Sequence, residues 1–303
     1  MLESLRFSSA ITPMKEFKDR VAVVTGGASG LGRAMALRFA REGMKIVLAD
    51  VQADALKKTE TEFEQAGIPV LAVRTDVSKG KDVEALADKA FKTYGGVHIL
   101  CNNAGVAPGG TIWEQTVKDW EWTLGVNVWG VIHGIRAFVP RMLEQNVDCH
   151  VVNTASVAGL LSLPGMSVYC VSKHAVVTLT ECLHHDLLEF GARVKASVLC
   201  PAYVPTAISD SERNRPAALR ENKTKGPEDL KREAQLRHAV QSGRISAEQV
   251  ADLVLEAIKT EKFYILPHQK IKPAIEIRMQ DILQEREPTN TLKPPTSIRP
   301  THT

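Results

Sequence analysis

Short apolar runs alternate with helix-compatible segments along most of the chain, and this alternation constrains the fold more than any other feature. The runs are rich in Val, Ile and Leu and show little alternation of apolar with polar positions. Parallel strands that helices cover on both faces have this character. We predict such strands at 21–25, 45–49, 70–74, 97–101, 150–154, 194–199 and 263–266. The sequence therefore predicts an α/β fold built on a doubly wound parallel sheet.

The remaining segments complete the predicted organisation. Helical patterns run up to residue 40 and at 53–65, 82–94, 117–144, 169–190, 247–259 and 273–284. A single domain is predicted over 19–270, after a flexible extension at 1–18. Within it, residues 206–244 are charged and poor in large apolar side chains, so we predict a helical insertion, called the lid below, that covers a binding site. Residues 271–303 are predicted to form a helix followed by a Pro-rich disordered tail.

Composition excludes several classes of protein. The net charge of +3 is spread over interspersed signs, which gives no signature of nucleic-acid or membrane binding. No apolar run is long enough for a membrane span, and the N-terminal residues lack the apolar core of a secretory signal. The five cysteines are scattered and form no CxxC pair, so neither a metal site nor a disulfide framework is predicted. We expect a cytoplasmic protein.

A glycine-rich segment joins the first strand to the first helix. Gly26, Gly30 and Gly32 are spaced as GxxxGxG in this segment. Glycines in this context allow a tight turn and a close approach of the backbone to a pyrophosphate, which the helix N-terminus then attracts. The alternative is a set of plain turn glycines. The strand and helix on either side favour a dinucleotide site.

Asp50 ends the second strand, about 20 residues after the glycine loop. At this place a carboxylate accepts hydrogen bonds from the adenosine ribose hydroxyls and repels a 2′-phosphate. No Arg or Lys follows in Val51-Gln52-Ala53. The alternative for Asp50 is an N-cap of the next helix. The sequence therefore predicts NAD in preference to NADP.

Tyr169 and Lys173 are four residues apart on a predicted helix and so lie on one face of it. A phenol ordinarily titrates near pH 10, and a cation beside it favours the phenolate. We therefore predict a lowered pKa for Tyr169 and a role as general acid or base. The alternative is an amphipathic helix that carries both residues by chance.

Four motifs occur in one order, and together they resemble those of the short-chain dehydrogenase/reductase family. They are the loop Thr25–Gly32, the stretch Asn102–Gly105, Ser156, and the Tyr169 to Lys173 spacing. The resemblance extends from about Arg20 to Leu266. It implies a Rossmann-type, three-layered single domain and an NAD(P)-dependent oxidoreductase that acts on CH–OH groups.

The resemblance also implies a set of residues that contact the cofactor. They are Gly26, Ser29, Gly30, Leu31, Gly32, Asp50, Asp76, Val77, Asn103, Tyr169, Lys173, Val204 and Thr206. In the segment that covers the nicotinamide in this family, Ala202 replaces the usual glycine.

The same resemblance assigns catalytic roles. Tyr169 exchanges a proton with the substrate alcohol, and Ser156 hydrogen-bonds the substrate oxygen. Lys173 lowers the pKa of Tyr169 and holds the nicotinamide ribose. Asn127 positions a water that relays protons from Lys173 to solvent; the alternative is a helix-bending polar residue that is satisfied inside the protein.

The predicted pocket is mainly apolar. It draws on 106–113, 160–166, Tyr203 and the lid after Thr206, and Trp113 is the tryptophan that we place in it. An apolar or aromatic secondary alcohol or ketone is the predicted substrate. Helices at 117–144 and 172–190 resemble those with which the family forms dimers, so a homodimer or homotetramer is expected.

Three hypotheses follow. An NAD-dependent alcohol dehydrogenase is favoured, and an NADP-dependent ketoreductase is disfavoured by Asp50. The third is a dinucleotide-binding sensor without catalysis, which the presence of Ser156, Tyr169 and Lys173 argues against.

Overall fold

A computed structural model of the chain describes Met14 and residues 16–220 and 226–291. Over these residues, seven parallel strands form one sheet in the order β3-β2-β1-β4-β5-β6-β7. The strands are β1 (Val21–Thr25), β2 (Lys45–Asp50), β3 (Val70–Arg74), β4 (Ile99–Asn102), β5 (Cys149–Thr154), β6 (Val194–Leu199) and β7 (Tyr264–Ile265). The predicted doubly wound parallel sheet is confirmed. The predictions for most of the N-terminal extension and for the tail beyond residue 291 lie outside the described residues.

The helices connect successive strands and cover both faces of the sheet. They are α1 (Gly30–Arg41), α2 (Ala53–Gln65), α3 (Gly80–Tyr94), α4 (Val117–Leu124), α5 (Gly130–Glu144), α6 (Ser167–Glu189), α7 (Pro227–Gln241), α8 (Ala247–Thr260) and α9 (Lys272–Leu283). In the part of the chain that the structure describes, none of them is long and apolar enough to cross a membrane.

Apolar side chains fill the space between the sheet and the helices on both faces. On one face of the sheet, Ala22 and Val24 of β1 pack with α1, α2 and α8. On the other face, Val21 and Val23 pack with α3, α5 and α6. All five residues of β1 are buried, because helices cover the strand on both faces. This explains the uninterrupted apolar run in the sequence.

The helix predicted over 117–144 is interrupted. A π-helical turn, Gly125–Trp129, separates α4 from α5. Such turns insert one extra residue into a helix and are frequent at functional sites. Here the extra residue lets the fully buried side chain of Asn127 reach other elements of the fold, as described below.

The buried His150 of β5 gives the fold a pH dependence. The Ser197 hydroxyl donates to the carbonyl of Lys262, so it accepts a hydrogen bond from His150 Nε2, 2.7 Å away. His150 therefore carries its proton on Nε2 and is neutral. Burial, with a smaller contribution from Lys195, lowers the pKa of His150 to about 3.

This lowered pKa predicts a loss of stability in acid. A histidine whose folded pKa lies below its unfolded value stabilises the fold above the unfolded pKa, and this contribution is lost as the pH falls toward the folded pKa. Between pH 7.5 and pH 5 we expect His150 to account for about 2 kcal/mol of lost unfolding free energy. Urea unfolding at both pH values would measure it, with His150→Gln, which keeps a donor for Ser197, as the comparison. Equal losses in the two proteins would contradict the assignment.

Candidate active site

A cavity of about 460 Å³ lies at the carboxyl ends of the strands. It opens where the strand order reverses, between β1 and β4, which is the place where open α/β sheets bind ligands. The glycine loop and the end of β2 line one part of the cavity. The ends of β5 and β6, the start of α6 and the lid line another part.

The glycine loop is built for close approach. Gly26 and Gly30 have φ values of +64° and +51°, which favour glycine. A Cβ atom at Gly32 would lie 2.1 Å from the carbonyl oxygen of Gly26, so any side chain there would clash with backbone. Ser29 is the N-cap of α1, and no side-chain capping bond is found for it among the described residues. Ser29, Gly30 and Leu31 all face the cavity, where the first amides of α1 can receive an anion.

Asp50 lies at the bottom of this half of the cavity, with only 7% of its surface exposed. Its carboxylate accepts hydrogen bonds from the backbone N–H groups of Ala28, at 3.1 Å, and Gln52, at 3.0 Å. The N-cap of α2 is Gln52, so the alternative interpretation of Asp50 as that cap is wrong. Asp50 instead joins the glycine loop to the end of β2 and presents a negative charge to the cavity.

The other residues predicted to contact a cofactor also surround the cavity, with the exception of Gly32, whose place is structural. Asp76, Val77, Asn103, Val204 and Thr206 line it. Asn103 donates from Nδ2 to the carbonyl of Thr25, and Thr206 lies against Gly30, where an added Cβ atom would approach it to 3.2 Å. The residues present therefore fit a dinucleotide: glycines at the turn, open amides at the start of α1 and a carboxylate at the end of β2.

Ser156, Tyr169 and Lys173 meet in the other half of the cavity. Tyr169 and Lys173 lie on one face of α6, with Lys173 Nζ 5.7 Å from the centre of the Tyr169 ring. Lys173 Nζ donates to the carbonyl oxygen of Thr154 at 2.9 Å, which fixes its position at the end of β5. The Ser156 hydroxyl donates to Pro201 O at 3.2 Å, two residues after β6.

Burial moves the pKa values of this pair in opposite directions. It raises the pKa of Tyr169 to about 12, against a smaller opposing effect of the hydrogen bond with Ser156. It lowers the pKa of Lys173 to about 8. The predicted lowering of the Tyr169 pKa is therefore wrong for the protein alone, because burial disfavours the phenolate more than the hydrogen bond with Ser156 favours it. At neutral pH the protein by itself holds Tyr169 protonated.

Asn127 supports the site from the π-helical turn. Its Oδ1 accepts from the N–H of Val106 at 2.8 Å, and its Nδ2 donates to Val106 O and to the Ser172 hydroxyl, both at 2.9 Å. Its amide thus bridges the loop after β4 and helix α6. The polar groups of Asn127 are thus satisfied inside the protein, by partner atoms that lie outside its own helix.

Part of the predicted pocket lies outside the cavity: of the segment 106–113, Val106 and Ala107 line it and residues 108–113 do not. Trp113 has 81% of its surface exposed and does not line the cavity, because the loop after β4 turns it outward. Trp122 of α4 lines the cavity instead and is buried. Helical spacing gives no signal for it, because Trp122 and Asn127 are five positions apart and so lie on different faces of a regular helix. Among the described residues, no cluster of His, Cys, Asp and Glu has the arrangement of a metal site.

Comparison with known proteins gives consistent matches. The family profile described as short chain dehydrogenase matches residues 20–217. A short chain dehydrogenase/reductase from Burkholderia phymatum, solved in complex with NAD, is 52% identical, covers 93% of this chain and 100% of its own, and superposes with a TM-score of 0.91.

Two further relatives match over nearly their whole length. A CLA biosynthesis dehydrogenase/reductase from Lactiplantibacillus plantarum is 34% identical over 91% of this chain and 97% of its own. A 1-deoxy-11-beta-hydroxypentalenate dehydrogenase from Streptomyces exfoliatus is 36% identical over 88% of this chain and 89% of its own. With the sheet order, the glycine loop and the Ser156, Tyr169 and Lys173 cluster, these matches show that the chain belongs to the short-chain dehydrogenase family of NAD(P)-dependent oxidoreductases.

Proposed function

We propose that the protein is an NAD-dependent dehydrogenase that interconverts an apolar secondary alcohol and its ketone. The observation that carries this proposal is the position of Tyr169, Ser156 and Lys173 in the same cavity as the carboxylate of Asp50. One half of the cavity then holds the adenosine and pyrophosphate of the cofactor, and the other holds the reacting groups.

The residues of the cavity divide the chemistry between them. When bound, NAD supplies the hydride acceptor, and its positive charge favours the phenolate of Tyr169. In oxidation Tyr169 accepts the alcohol proton, and in reduction it donates one to the ketone oxygen. Ser156 hydrogen-bonds the same oxygen as charge develops on it. Lys173, held by the carbonyl of Thr154, places its cation next to the phenol.

Asn127 supports this chemistry without lining the cavity itself. Its side-chain amide is committed to Val106 and Ser172. An added Cβ atom at Gly105 would lie 3.4 Å from Asn127 Oδ1 and 3.5 Å from Lys173 Nζ, so the three residues meet at one place. We propose that Asn127 supports a water-mediated proton path from Lys173 by fixing the Val106 loop there.

The chemistry of the substrate follows from the walls of the cavity. The side chains that surround the Tyr169 end are mainly apolar; they include Trp122, Val157, Leu161, Leu163, Met166, Ile208, Leu219 and Leu236. An apolar alcohol gains affinity from burying its surface there. One relative is named as the dehydrogenase of a hydroxyl-bearing compound, 1-deoxy-11-beta-hydroxypentalenate, which is consistent with an alcohol substrate.

We predict that Asp50 selects NAD over NADP. Replacing it with asparagine removes the charge that repels a 2′-phosphate and keeps a side chain of the same shape, whose one amide oxygen can accept from either Ala28 or Gln52. NADH affinity should fall roughly 10- to 100-fold, as expected for the loss of a hydrogen bond to a charged group, and NADPH affinity should rise. Protein fluorescence titrated with each cofactor would measure the ratio.

Asp54→Asn is the matched control for this change, because Asp54 is an exposed aspartate four residues later, in the first turn of α2. It should leave both affinities unchanged. An NADH to NADPH ratio that does not change in Asp50→Asn would assign selection to another group. Tight NADPH binding by the wild-type protein would favour the NADP-dependent ketoreductase instead.

We also propose that the protein acts in the cytoplasm as a homodimer or homotetramer. Large apolar side chains are exposed on and beside the helices expected to meet across a dimer, including Trp129, Val171, Leu188 and Phe190. Light scattering coupled to size-exclusion chromatography would report the assembly. Four of the five cysteines are buried as free thiols, as suits a reducing compartment.

A further inference from the structure

The lid carries an arginine that is buried, unlike its neighbours. Arg215 has 7% of its side chain exposed, whereas Arg237, also on the lid, has 63% exposed. Arg215 lies just after a 3₁₀ segment, Ala207–Asn214. Its guanidinium does not line the cavity, but Ser211, Pro216 and Leu219 on either side of it do. Arg215 therefore does not face the cavity itself, but lies next to residues that do.

Arg215 makes contacts in three directions. It binds Glu212 of the lid with two hydrogen bonds, at 2.8 and 2.7 Å. It pairs with Asp119 of α4 at 2.8 Å, through Nη2 and Oδ1. The guanidinium carbon lies 4.2 Å from the centre of the Trp122 ring, also on α4. The guanidinium of Arg215 thus joins the lid to α4. Its N–H groups bond the carboxylates of Glu212 and Asp119, and its planar face stacks on the Trp122 ring.

Trp122 connects this contact to the cavity. Its ring is buried, with 3% exposed, and it lines the cavity while it carries Arg215. Asp119 is itself held in place, because its other carboxylate oxygen accepts from the backbone N–H of Thr116 in the capping box of α4. The guanidinium of Arg215 therefore contacts an Asp119 carboxylate that the capping box of α4 already holds in place.

A second contact holds the same part of the lid. The N–H of Ala107, in the loop after β4, donates to the Ser211 hydroxyl at 3.1 Å, and Ser211 is buried. The preceding residue, Val106, is the one that Asn127 holds. Apart from an exposed ion pair between Asp210 and Arg237 of α7, these two contacts attach residues 207–219, one near the catalytic groups and one at α4.

We infer that Arg215 is a positioning residue that fixes residues 207–219 against Trp122 and so determines the shape of the substrate end of the cavity. A buried ion pair contributes little net stability compared with apolar residues of similar volume. Its directional bonds do, however, specify one arrangement of the chain that bears them. The inference depends on the proposed function only for its kinetic readout.

Hydrogen exchange measured by mass spectrometry on the full chain tests the inference without any substrate. Arg215→Met should raise the exchange rate of peptides from 207–219 at least roughly tenfold and leave α1 and α8 unchanged, because local opening reports only the contacts that were lost. Arg215→Lys keeps the charge but not the planar fork and should give an intermediate rise. Arg237→Ala, which breaks the exposed pair with Asp210, is the matched control and should change exchange least.

Kinetics supply the second readout. For a secondary alcohol that the wild type oxidises, such as 1-phenylethanol or cyclohexanol, Arg215→Met should raise KM while kcat and NADH affinity stay close to the wild-type values. Unchanged exchange in 207–219, an equal rise in Arg237→Ala, or a fall in kcat without a rise in KM would overturn the inference. If no alcohol is turned over, the proposed function fails, and the exchange experiment still decides the role of Arg215.

Discussion

Replacing Tyr169 with phenylalanine is expected to lower turnover by about 10²- to 10⁴-fold, the range that a positioned general acid or base contributes. The change removes one hydroxyl oxygen and leaves the ring in place beside Lys173. Ser156 can still bond a substrate oxygen, and no contact with the glycine loop or Asp50 is disturbed. NADH should therefore bind as tightly as in the wild type, while oxidation of the alcohol slows by that factor. Fluorescence titration with NADH and steady-state rates with NAD would separate the two effects.

Tyr94→Phe provides the control for this variant, because Tyr94 ends α3 and lies against Lys45 rather than in the cavity. It should retain full activity. Turnover by Tyr169→Phe at a rate near that of the wild type would remove Tyr169 from the mechanism. Loss of NADH binding together with activity would mean that the hydroxyl serves the cofactor site and not proton transfer.

Gly32→Ala is expected to abolish NADH binding and to lower the melting temperature. The added methyl carbon would lie 2.1 Å from the carbonyl oxygen of Gly26 and 2.7 Å from Asn103 Nδ2. Backbone cannot yield as a flexible side chain does, so the loop or the first turn of α1 must move. Overpacking of this kind costs about 1–3 kcal/mol, and occasionally more. The amides that face the pyrophosphate would then lose their alignment.

The matched control is Gly226→Ala, at the start of α7. A methyl carbon there would come no closer than 3.7 Å to its nearest neighbour, the carboxylate of Asp229. Differential scanning fluorimetry with and without NADH would report both stability and binding. A Gly32→Ala protein that NADH stabilises as much as it does the wild type would contradict the close packing of α1 on the loop.

Much of the fold could be predicted because its causes are local. The bounds of β1, β3 and β6 agree with the predicted strands, since each is an apolar run between a helix and a turn. The π-helical turn could not be predicted, because its cause lies elsewhere in the chain. Asn127 meets Val106, 21 residues away, and Ser172, 45 residues away. A sequence pattern on one helix does not contain those partners.

The same distinction applies to the candidate site. The spacing of Tyr169 and Lys173 predicts that they share a helix face, and they do. The direction of the Tyr169 pKa depends on how deeply the whole fold buries the phenol, which spacing does not report. Trp113 is misplaced in the prediction because proximity along the chain to Asn103 says nothing of the direction in which the loop turns. Arg215 resembles any lid arginine until its partners on α4 are known.

The lid follows strand β6 and precedes helix α8. Both of these elements are held in place by contacts outside the lid. Before it, β6 is paired with both β5 and β7, and after it, α8 is packed against α1. The entropy of closing a flexible segment grows slowly with length, so doubling such a segment costs only about 0.6 kcal/mol. Insertions, deletions and exchanges in this stretch of the gene can therefore change the lid at little cost in stability, without changing the sheet or the packing of α1 against α8.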